Sequence, residues 1–582
     1  MKPRLICLVL LVLVAGGALA FRLPRLGDRP MHADEAVQAA RSRQLWEQGR
    51  YRYDPNEFHG PTLQYATLAS LWTAAPGSFA ETTEATYRIV PVLFGAGMIL
   101  LLWFLADGLG KAAAVCAGVL VAVSPAMVFY SRYYIHETLL AFFTLAVISA
   151  GWRYLQSGKL AWCLAAGAFL GLMQATKETS VISHVAMGLA LLLVAFWARL
   201  AGEAFAEDRP TRPGWHLALG LAAAILVAGV LLTSFFTNPR GPIDGVLAFL
   251  PWLSRAQGAS PHVHPWYYYF HVLACWQEGN GPVWSEGLIL GLAAVGFGAA
   301  FFPAGPLTRG ASSPTHQKDR VGWLGQSEAV PQCRSTGASL GATAGLPSSD
   351  SRENLHSTAG QASSGTLFQP AASAPFVRWV GFYTVASAAA YSVIPYKTPW
   401  CLLNFLEGMI LLAGVGAVAL VRLTPTLPLK ALTTLLLVGA TGQLGWQSYR
   451  ASFVLAADPG NPYVYAHTLP DAARLSGDVA ELAKASPEGE EIVIEVIWHD
   501  AYYWPLPWYL RSAGHVEYWT RVPDDPGAPV IISSPELDAP LTERLDATHL
   551  MTGYYGVRPN VLAQLWVRMD LWEAHLRRLE RL

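Results

Sequence analysis

Apolar runs of around 20 residues recur along most of this 582-residue chain, and they constrain its fold more than any other feature. As a helix, each run is long enough to cross about 30 Å of hydrocarbon. Only 14% of the residues are charged, whereas about 25% are charged in an ordinary soluble domain. The sequence therefore predicts a mainly α, polytopic transmembrane helical bundle.

The positions of the apolar runs predict about eleven membrane spans. They lie at 4–21, 88–106, 112–130, 137–155, 160–176, 179–198, 216–236, 284–302, 377–395, 399–421 and 429–447. The first run, preceded by Lys2 and Arg4, also resembles a signal peptide, but the many later spans favour its retention.

The distribution of basic residues predicts which loops face which side of the membrane. With the amino terminus in the cytoplasm, the short cytoplasmic connections contain Lys111, Lys159, Arg199, Arg209, Arg212 and Arg422. This excess agrees with the positive-inside rule, although Arg22, Arg25 and Arg29 outside weaken it. The loops predicted to lie outside are 22–87, 131–136, 177–178, 237–283 and 396–398. We expect a multi-pass protein of the cytoplasmic (inner) membrane, with its active face extracytoplasmic.

Composition divides the chain into four regions. Residues 1–305 form an amino-terminal transmembrane module with a long outside loop at 22–87, and 376–447 form the carboxy-terminal transmembrane helices. Between them, 306–375 is dominated by Ser, Gly, Thr, Ala, Gln and Pro, which cannot bury enough apolar surface to fold. We predict a disordered cytoplasmic linker there, and an extracytoplasmic α/β domain at 448–582.

Within that last domain, the sequence pattern predicts individual elements. A helix is expected at 471–484, and β-branched runs predict strands at 491–497 and 529–533. The final segment, 561–582, has an apolar stripe that predicts an amphipathic helix packed on the sheet. The stripe consists of Leu562, Leu565, Trp566, Met569 and Trp572.

Charge and cysteine content exclude several other classes of protein. A net charge of -1 gives no basic field for nucleic acid. The six cysteines are scattered and show neither metal-ligand spacing nor a disulfide framework.

Charged side chains occur in four clusters on the predicted outside face. Asp34 and Glu35 open a helix that runs to about Gln48, and the other clusters lie at 131–137, 175–179 and 394–400. Ionisable residues beside apolar spans are costly and are candidates for function. Each cluster alone could be a helix-dipole interaction, a packing pair or a snorkelling cation. Four clusters on one face favour an assembled site.

The residue types in these clusters suit a particular chemistry. A carboxylate at the membrane surface can accept a proton from a hydroxyl or coordinate a divalent cation such as Mg²⁺ or Mn²⁺. Arg132, Lys177 and Lys397 suit the phosphate of a lipid-linked donor. Weaker candidates for substrate or metal contacts are His59, His136, Glu137, Glu178, Tyr396, His262 and His264. A base and a stabilised phosphate leaving group together indicate a lipid-phosphosugar transferase, and the lack of a Gly-rich loop argues against a nucleotide-sugar donor.

Several motifs resemble the GT-C superfamily of integral-membrane glycosyltransferases, which includes protein O-mannosyltransferases and the aminoarabinose transferase of lipid A. The closest resemblance is to the flippase-activity-associated subfamily of archaea and bacteria. The motifs are His32-Ala33-Asp34-Glu35-Ala36, Tyr53-Asp54-Pro55 with Phe58-His59-Gly60-Pro61, Tyr396-Lys397-Thr398-Pro399-Trp400 and Asn461-Pro462-Tyr463-Val464-Tyr465-Ala466-His467. The resemblance implies a GT-C bundle, a polyprenyl-phosphate sugar donor, Asp34 as catalytic base or metal-associated acid, and Glu35 as the second acid. Residues 306–375 look like an insertion beyond the family pattern.

These observations predict an inverting glycosyltransferase, of the hexosyl- or mannosyltransferase kind. It would move a sugar from a polyprenyl-phosphate donor to a hydroxyl of a protein, lipid or glycan outside the membrane. One alternative is a non-catalytic accessory protein of a lipid-linked-sugar flippase or glycan export system. Another is a secondary transporter, whose usual inverted repeats are not evident. The sugar, the acceptor, metal dependence and oligomeric state stay open.

Overall fold

The structure is a computed structural model that describes residues 3–54, 59–203, 213–251, 262–301, 372–500 and 502–581. Most of the predicted linker, 306–371, lies outside the described residues, as does Phe58 of the second motif. Ala374 already begins a helix.

The first part of the chain is helical. Its helices are α1 (Pro3–Arg22), α2 (Ala33–Gln48), α3 (Thr62–Ala74), α4 (Glu84–Leu109), α5 (Lys111–Val123), α6 (Pro125–Ser131), α7 (Glu137–Ser157), α8 (Leu160–Gln174), α9 (Ser180–Leu200), α10 (Gly214–Leu232), α11 (Gly241–Leu247), α12 (Tyr268–Ala274), α13 (Gly287–Phe301), α14 (Ala374–Val393), α15 (Leu403–Leu423) and α16 (Leu427–Tyr449). A helix, or the bent pair α5–α6, coincides with each of the eleven predicted spans. Seven helices in the described ranges are long and apolar enough to cross a membrane, or eight if the bent pair is one span. The chain is an integral membrane protein, and the count of eleven spans stays a prediction.

The bend between α5 and α6 has a local cause. Pro125 cannot donate a backbone hydrogen bond and disfavours helical geometry at Ser124, and the two helices meet at 59°. The buried Glu286 side chain accepts from the Ala126 N–H (2.9 Å) and from the Tyr463 hydroxyl (2.9 Å). Glu286 thus joins the start of α6 to the segment after α16.

Helix α15 lies at the centre of the bundle, where it packs against α13, α5 and α14. Glycine makes its contact with α13 possible. A Cβ on Gly416 would lie 1.9 Å from the Leu292 carbonyl oxygen, and one on Gly296 would lie 2.0 Å from that of Leu412. Helices in lipid have no hydrophobic driving force to associate, so they depend on close van der Waals packing, and small residues permit it.

The carboxy-terminal part is a small α/β domain. It contains α17 (Asp471–Ala483), β1 (Val493–Ile497), α18 (Leu506–Tyr509), β2 (His515–Trp519), β3 (Val530–Ser533), α19 (Asp538–Leu545), β4 (His549–Arg558), β5 (Val561–Arg568) and α20 (Met569–Leu579). The strand order is β2-β1-β3-β5-β4. Strand β1 is parallel to β2 and β3, whereas β5 is antiparallel to β3 and β4. The predicted fold class, with its helix at 471–484 and its two strands, is confirmed.

The predicted closing helix at 561–582 is wrong over its first third. Residues Val561–Arg568 form β5, and the helix is only Met569–Leu579. Leu565 and Trp566 are both buried, but in different hydrophobic clusters on the two faces of the sheet. A strand covered on both faces has consecutive apolar residues, and here they imitate one apolar face of a helix.

Candidate active site

The predicted acidic pair lies at the start of α2, which His32 caps. The Asp34 backbone N–H donates to His32 Nδ1 (3.0 Å), and the His32 backbone N–H donates to Glu35 Oε2 (3.1 Å). This reciprocal capping satisfies two backbone donors that a helix start otherwise leaves open. Although adjacent in sequence, Asp34 and Glu35 lie in different environments, since Asp34 is exposed and Glu35 is buried.

Glu35 is completely buried and fully engaged. Arg88 donates to it through Nε (2.8 Å) and Nη2 (2.6 Å), Arg29 through Nη2 (3.0 Å), and the Tyr134 backbone N–H (2.8 Å) completes the set. Burial alone would raise the pKa of Glu35, but the charges of Arg29 and Arg88 outweigh it and hold the pKa well below its ordinary value. Such a carboxylate is a poor base, so its role is to position the start of α2.

Asp34 is the opposite case. Its side chain is exposed, and no hydrogen-bond donor among the described residues contacts its carboxylate. Burial lowers the pKa of Arg558 and of His262, and the nearby charge of Asp34 opposes the shift in both. Asp34 therefore faces a space to which the segment before α12 contributes His262 and strand β4 contributes Arg558.

Aromatic side chains from four separate segments meet at His32. Its ring centroid lies 5.3 Å from that of Tyr133, 6.2 Å from Trp400 and 5.2 Å from His467. His32 Nε2 lies 2.9 Å from the Tyr465 carbonyl oxygen, and because Nδ1 accepts from Asp34, Nε2 is the protonated donor. Three of the four motifs that suggested the family resemblance, those of His32, Trp400 and His467, thus meet next to Asp34.

The buried imidazoles make this junction sensitive to acid. Burial lowers the pKa of His32 and of His467. The neighbouring His32 and Arg29 lower the pKa of His467 further, whereas the negative charge of Glu35 raises it. Unfolded chains therefore bind more protons than the folded protein below about pH 6.5, so stability falls as the pH drops through that range.

We expect the unfolding temperature to fall between about pH 7 and about pH 5, and His467→Phe to reduce that fall because it removes one buried titrating group. Differential scanning fluorimetry in detergent measures both. Substitution of the exposed His515 by Phe is the matched control and should leave the pH dependence as in wild type. An identical pH dependence in His467→Phe and wild type would contradict the assignment.

Lys397 lies where the segment 394–400 is hydrogen-bonded to the segment that contains His262 and His264. Its backbone N–H donates to the His262 carbonyl oxygen (2.8 Å), and its ammonium donates to the carbonyl oxygens of His264 (3.2 Å) and Ile394. Burial lowers the pKa of Lys397, and within the described ranges no carboxylate forms an ion pair with it. The Tyr396 ring lies 4.8 Å from that of His262, and the His262 ring contacts the Tyr465 hydroxyl.

A second cluster joins three of the weaker candidates, His59, His136 and Glu178. Glu178 accepts from the Tyr53 hydroxyl (2.8 Å) and lies 2.8 Å from His59 Nδ1, and the rings of His59 and His136 are 5.1 Å apart. Burial would raise the pKa of Glu178, but His59 and Tyr53 lower it below its ordinary value. In the part of the chain that the structure describes, no group of three or more His, Cys, Asp or Glu side chains is placed to hold a metal ion.

The other two predicted phosphate ligands have partners of their own. Lys177 forms a buried ion pair with Glu137; burial would lower the pKa of Lys177, but Glu137 outweighs it and raises the pKa. Arg132 donates to carbonyl oxygens at the end of α1, those of Arg22, Pro24 (2.8 Å) and Arg25 (3.1 Å). Neither side chain has a hydrogen bond to the residues around Asp34.

Three arginines of this region were not predicted as site residues. Arg29 and Arg88 hold Glu35, and Arg558 lies near Asp34. Arg88 begins a predicted apolar span, and a charge in that position is itself a signal of function. Arg558 comes from a different domain, and nothing in the neighbouring sequence indicates its position.

Comparison with known proteins is consistent with this architecture. Residues 70–233 match the family model of dolichyl-phosphate-mannose-protein mannosyltransferase, and no curated protein sequence matches the chain. ArnT from Cupriavidus metallidurans bound to undecaprenyl phosphate is similar at 14% identity and a TM-score of 0.57, with 95% of this chain and 97% of that chain covered. Its apo state gives the same identity and coverage with a TM-score of 0.58.

The Archaeoglobus fulgidus oligosaccharyltransferase in its apo form is 12% identical over 91% of this chain and 70% of that chain. Its TM-score of 0.47 is too low to support an argument. The likeness to ArnT shows a common fold over nearly the whole chain and, with the match at 70–233, confirms the predicted resemblance. The chain therefore shares the fold of ArnT over nearly its whole length, and its residues 70–233 are similar to the dolichyl-phosphate-mannose-protein mannosyltransferase family.

Proposed function

We propose that this protein moves a sugar from a polyprenyl-phosphate-linked donor to a hydroxyl acceptor on the extracytoplasmic side of the membrane. The observation that supports this most directly is Asp34, an exposed carboxylate on a rigid helix start whose neighbour Glu35 is locked in place. Undecaprenyl phosphate bound to the structurally similar ArnT supports the class of donor.

In the proposed reaction, Asp34 accepts the proton of the acceptor hydroxyl as the oxygen attacks the anomeric carbon. The bond between that carbon and the phosphate oxygen breaks, and polyprenyl phosphate leaves with the bonding electron pair. A single displacement inverts the anomeric configuration. The role of Asp34 is therefore that of a general base.

Two cations are the best candidates to stabilise the leaving phosphate. Arg558 is near Asp34, and its buried Nε has no hydrogen-bond partner among the described residues. The Lys397 ammonium donates to two carbonyl oxygens and forms no ion pair within the described ranges. Charged donors aimed at developing negative charge lower the barrier. Lys177 is not among them, because Glu137 already neutralises its charge.

Transfer by the purified protein in nanodiscs tests the proposal. Radiolabelled mannosyl polyprenyl phosphate and the corresponding nucleotide sugar are supplied separately, with an envelope extract as the source of acceptors. We expect label to be transferred from the lipid-linked donor alone, and parallel reactions with Mg²⁺, Mn²⁺ or a chelator test the metal expectation. Transfer from the nucleotide sugar alone would contradict the proposed donor class. Intact glycan export in cells that produce only Asp34→Asn would favour the accessory alternative.

A further inference from the structure

A small cleft that is open to solvent lies at the outer end of α1, beside the Glu35 ion pairs. Three of its six lining residues are arginines. The lining consists of Leu26, Arg29, Arg88, Phe129, Arg132 and Ser452. Neither Asp34 nor the cations Arg558 and Lys397 belong to this set, so the cleft is distinct from the candidate active site.

Positive charge in this cleft exceeds negative charge. Among the described residues, Glu35 is the sole carboxylate that forms an ion pair with any of the three arginines. Burial lowers the pKa of Arg132 to about 9, and the like charges of Arg29 and Arg88 contribute to that shift. Buried charges of one sign are costly unless a counter-charge approaches them, so an anion in the cleft would relieve the repulsion.

Two buried polar atoms of the lining also have no hydrogen-bond partner among the residues that the structure describes. They are Nε of Arg29 and Oγ of Ser452, on side chains only 7% and 6% exposed. A buried N–H or O–H left without an acceptor costs free energy. A ligand with several acceptor oxygens and negative charge would satisfy both, and a phosphate group fits that description.

The surroundings of the cleft indicate a lipid as the source of the phosphate. Aromatic rings follow the end of α16 toward it: the exposed Trp446 stacks on the exposed Tyr449 (5.8 Å), and Tyr449 stacks on the half-buried Phe453 (5.3 Å). The Phe453 ring lies 4.2 Å from the Arg132 guanidinium carbon. Exposed Trp and Tyr rings at the end of a span are typical of the membrane–water interface, where lipid headgroups meet basic side chains.

We propose that this arginine cleft binds the phosphate group of a bilayer lipid, whose tails lie along the aromatic rings of α16. Arg132 and Arg29 contact the phosphate, and the Ser452 hydroxyl donates to it. The site does not rest on the proposed transferase activity, and it accounts for the position of Arg132 away from Asp34.

Thermal-shift titration of the full chain in detergent tests this site with three probes: phosphatidylglycerol, a diacylglycerol with the same tails but no phosphate, and inorganic phosphate. We expect phosphatidylglycerol to raise the unfolding temperature and the diacylglycerol to leave it unchanged. Ser452→Asp, which places a carboxylate in the cleft, and Arg132→Gln should each weaken binding about tenfold. Ser78→Asp, at an exposed serine, is the matched control and should bind as wild type.

A shift with inorganic phosphate that Ser452→Asp also abolishes would support the phosphate site and identify free phosphate as its ligand. An equal shift with the diacylglycerol, or wild-type lipid binding by both cleft variants, would overturn the proposal. If either variant unfolds, native mass spectrometry of phospholipid retained by the folded one gives the same comparison. Asp34→Asn should retain the site whether or not transfer is lost, which separates the two proposals.

Discussion

Replacing Asp34 with Asn should lower the rate of sugar transfer at saturating donor by about 10²–10⁴-fold, the usual contribution of a general base. The amide has the same shape but cannot take the proton of the acceptor hydroxyl. Because the side chain is exposed and no described residue donates to it, the unfolding temperature should not change. Label transfer from the lipid-linked donor and scanning fluorimetry measure the two quantities.

Asp28→Asn is the matched control for this substitution. Asp28 is an exposed aspartate of the segment that joins α1 to α2, and it pairs with Arg25. Exposed ion pairs contribute at most about 1 kcal/mol, so both transfer and stability should stay close to those of wild type. Equal losses of activity in the two variants would indicate a general effect of charge on this surface.

Glu35→Ala should have the largest effect on stability, about 3–5 kcal/mol of the free energy of unfolding, as when one partner of a buried ion pair is removed. The substitution leaves Arg29 and Arg88 without their carboxylate and removes the acceptor of the Tyr134 and His32 backbone N–H groups. Denaturant unfolding in detergent micelles checks this. Unchanged stability would mean that these contacts do not hold the start of α2.

The difference in unfolding free energy between wild type and Glu35→Ala should depend on pH, and the pKa of Glu35 gives the direction. The pKa of Glu35 lies below its ordinary value of 4.5, so the folded protein binds fewer protons at Glu35 than the unfolded chain. The contribution of ionised Glu35 to stability is complete above about pH 4.5 and decreases as the pH falls below that value. The gap in stability between wild type and Glu35→Ala should therefore narrow in acid.

The sequence was sufficient to predict the bundle, because spans depend on local apolar length alone. It could not assign different roles to Asp34 and Glu35. Successive helix residues point about 100° apart, so two adjacent acids face different surroundings. Which of the two is buried depends on Arg88, which is distant in sequence. The partnership of Lys177 with Glu137 depends likewise on packing between α7 and the loop after α8.

The soluble domain shows the same limit. Strand β5 has apolar residues on both faces because α19 and α20 lie on opposite sides of the sheet, and only tertiary structure reveals this. Arg558 reaches the neighbourhood of Asp34 through the packing of the whole domain. By contrast, the meeting of 131–137 and 394–400 with the start of α2 could be predicted, since all three were expected on the outside face. The fourth predicted cluster, 175–179, instead pairs with Glu137 and His59.

The most direct test of the account compares single-turnover transfer with donor binding in Asp34→Asn and wild type. Donor binding is followed by quenching of intrinsic tryptophan fluorescence, and turnover by release of polyprenyl phosphate. We predict that the variant binds the donor with nearly wild-type affinity and releases almost no polyprenyl phosphate. Release at the wild-type rate by a folded Asp34→Asn protein would contradict the assignment of Asp34 as the base.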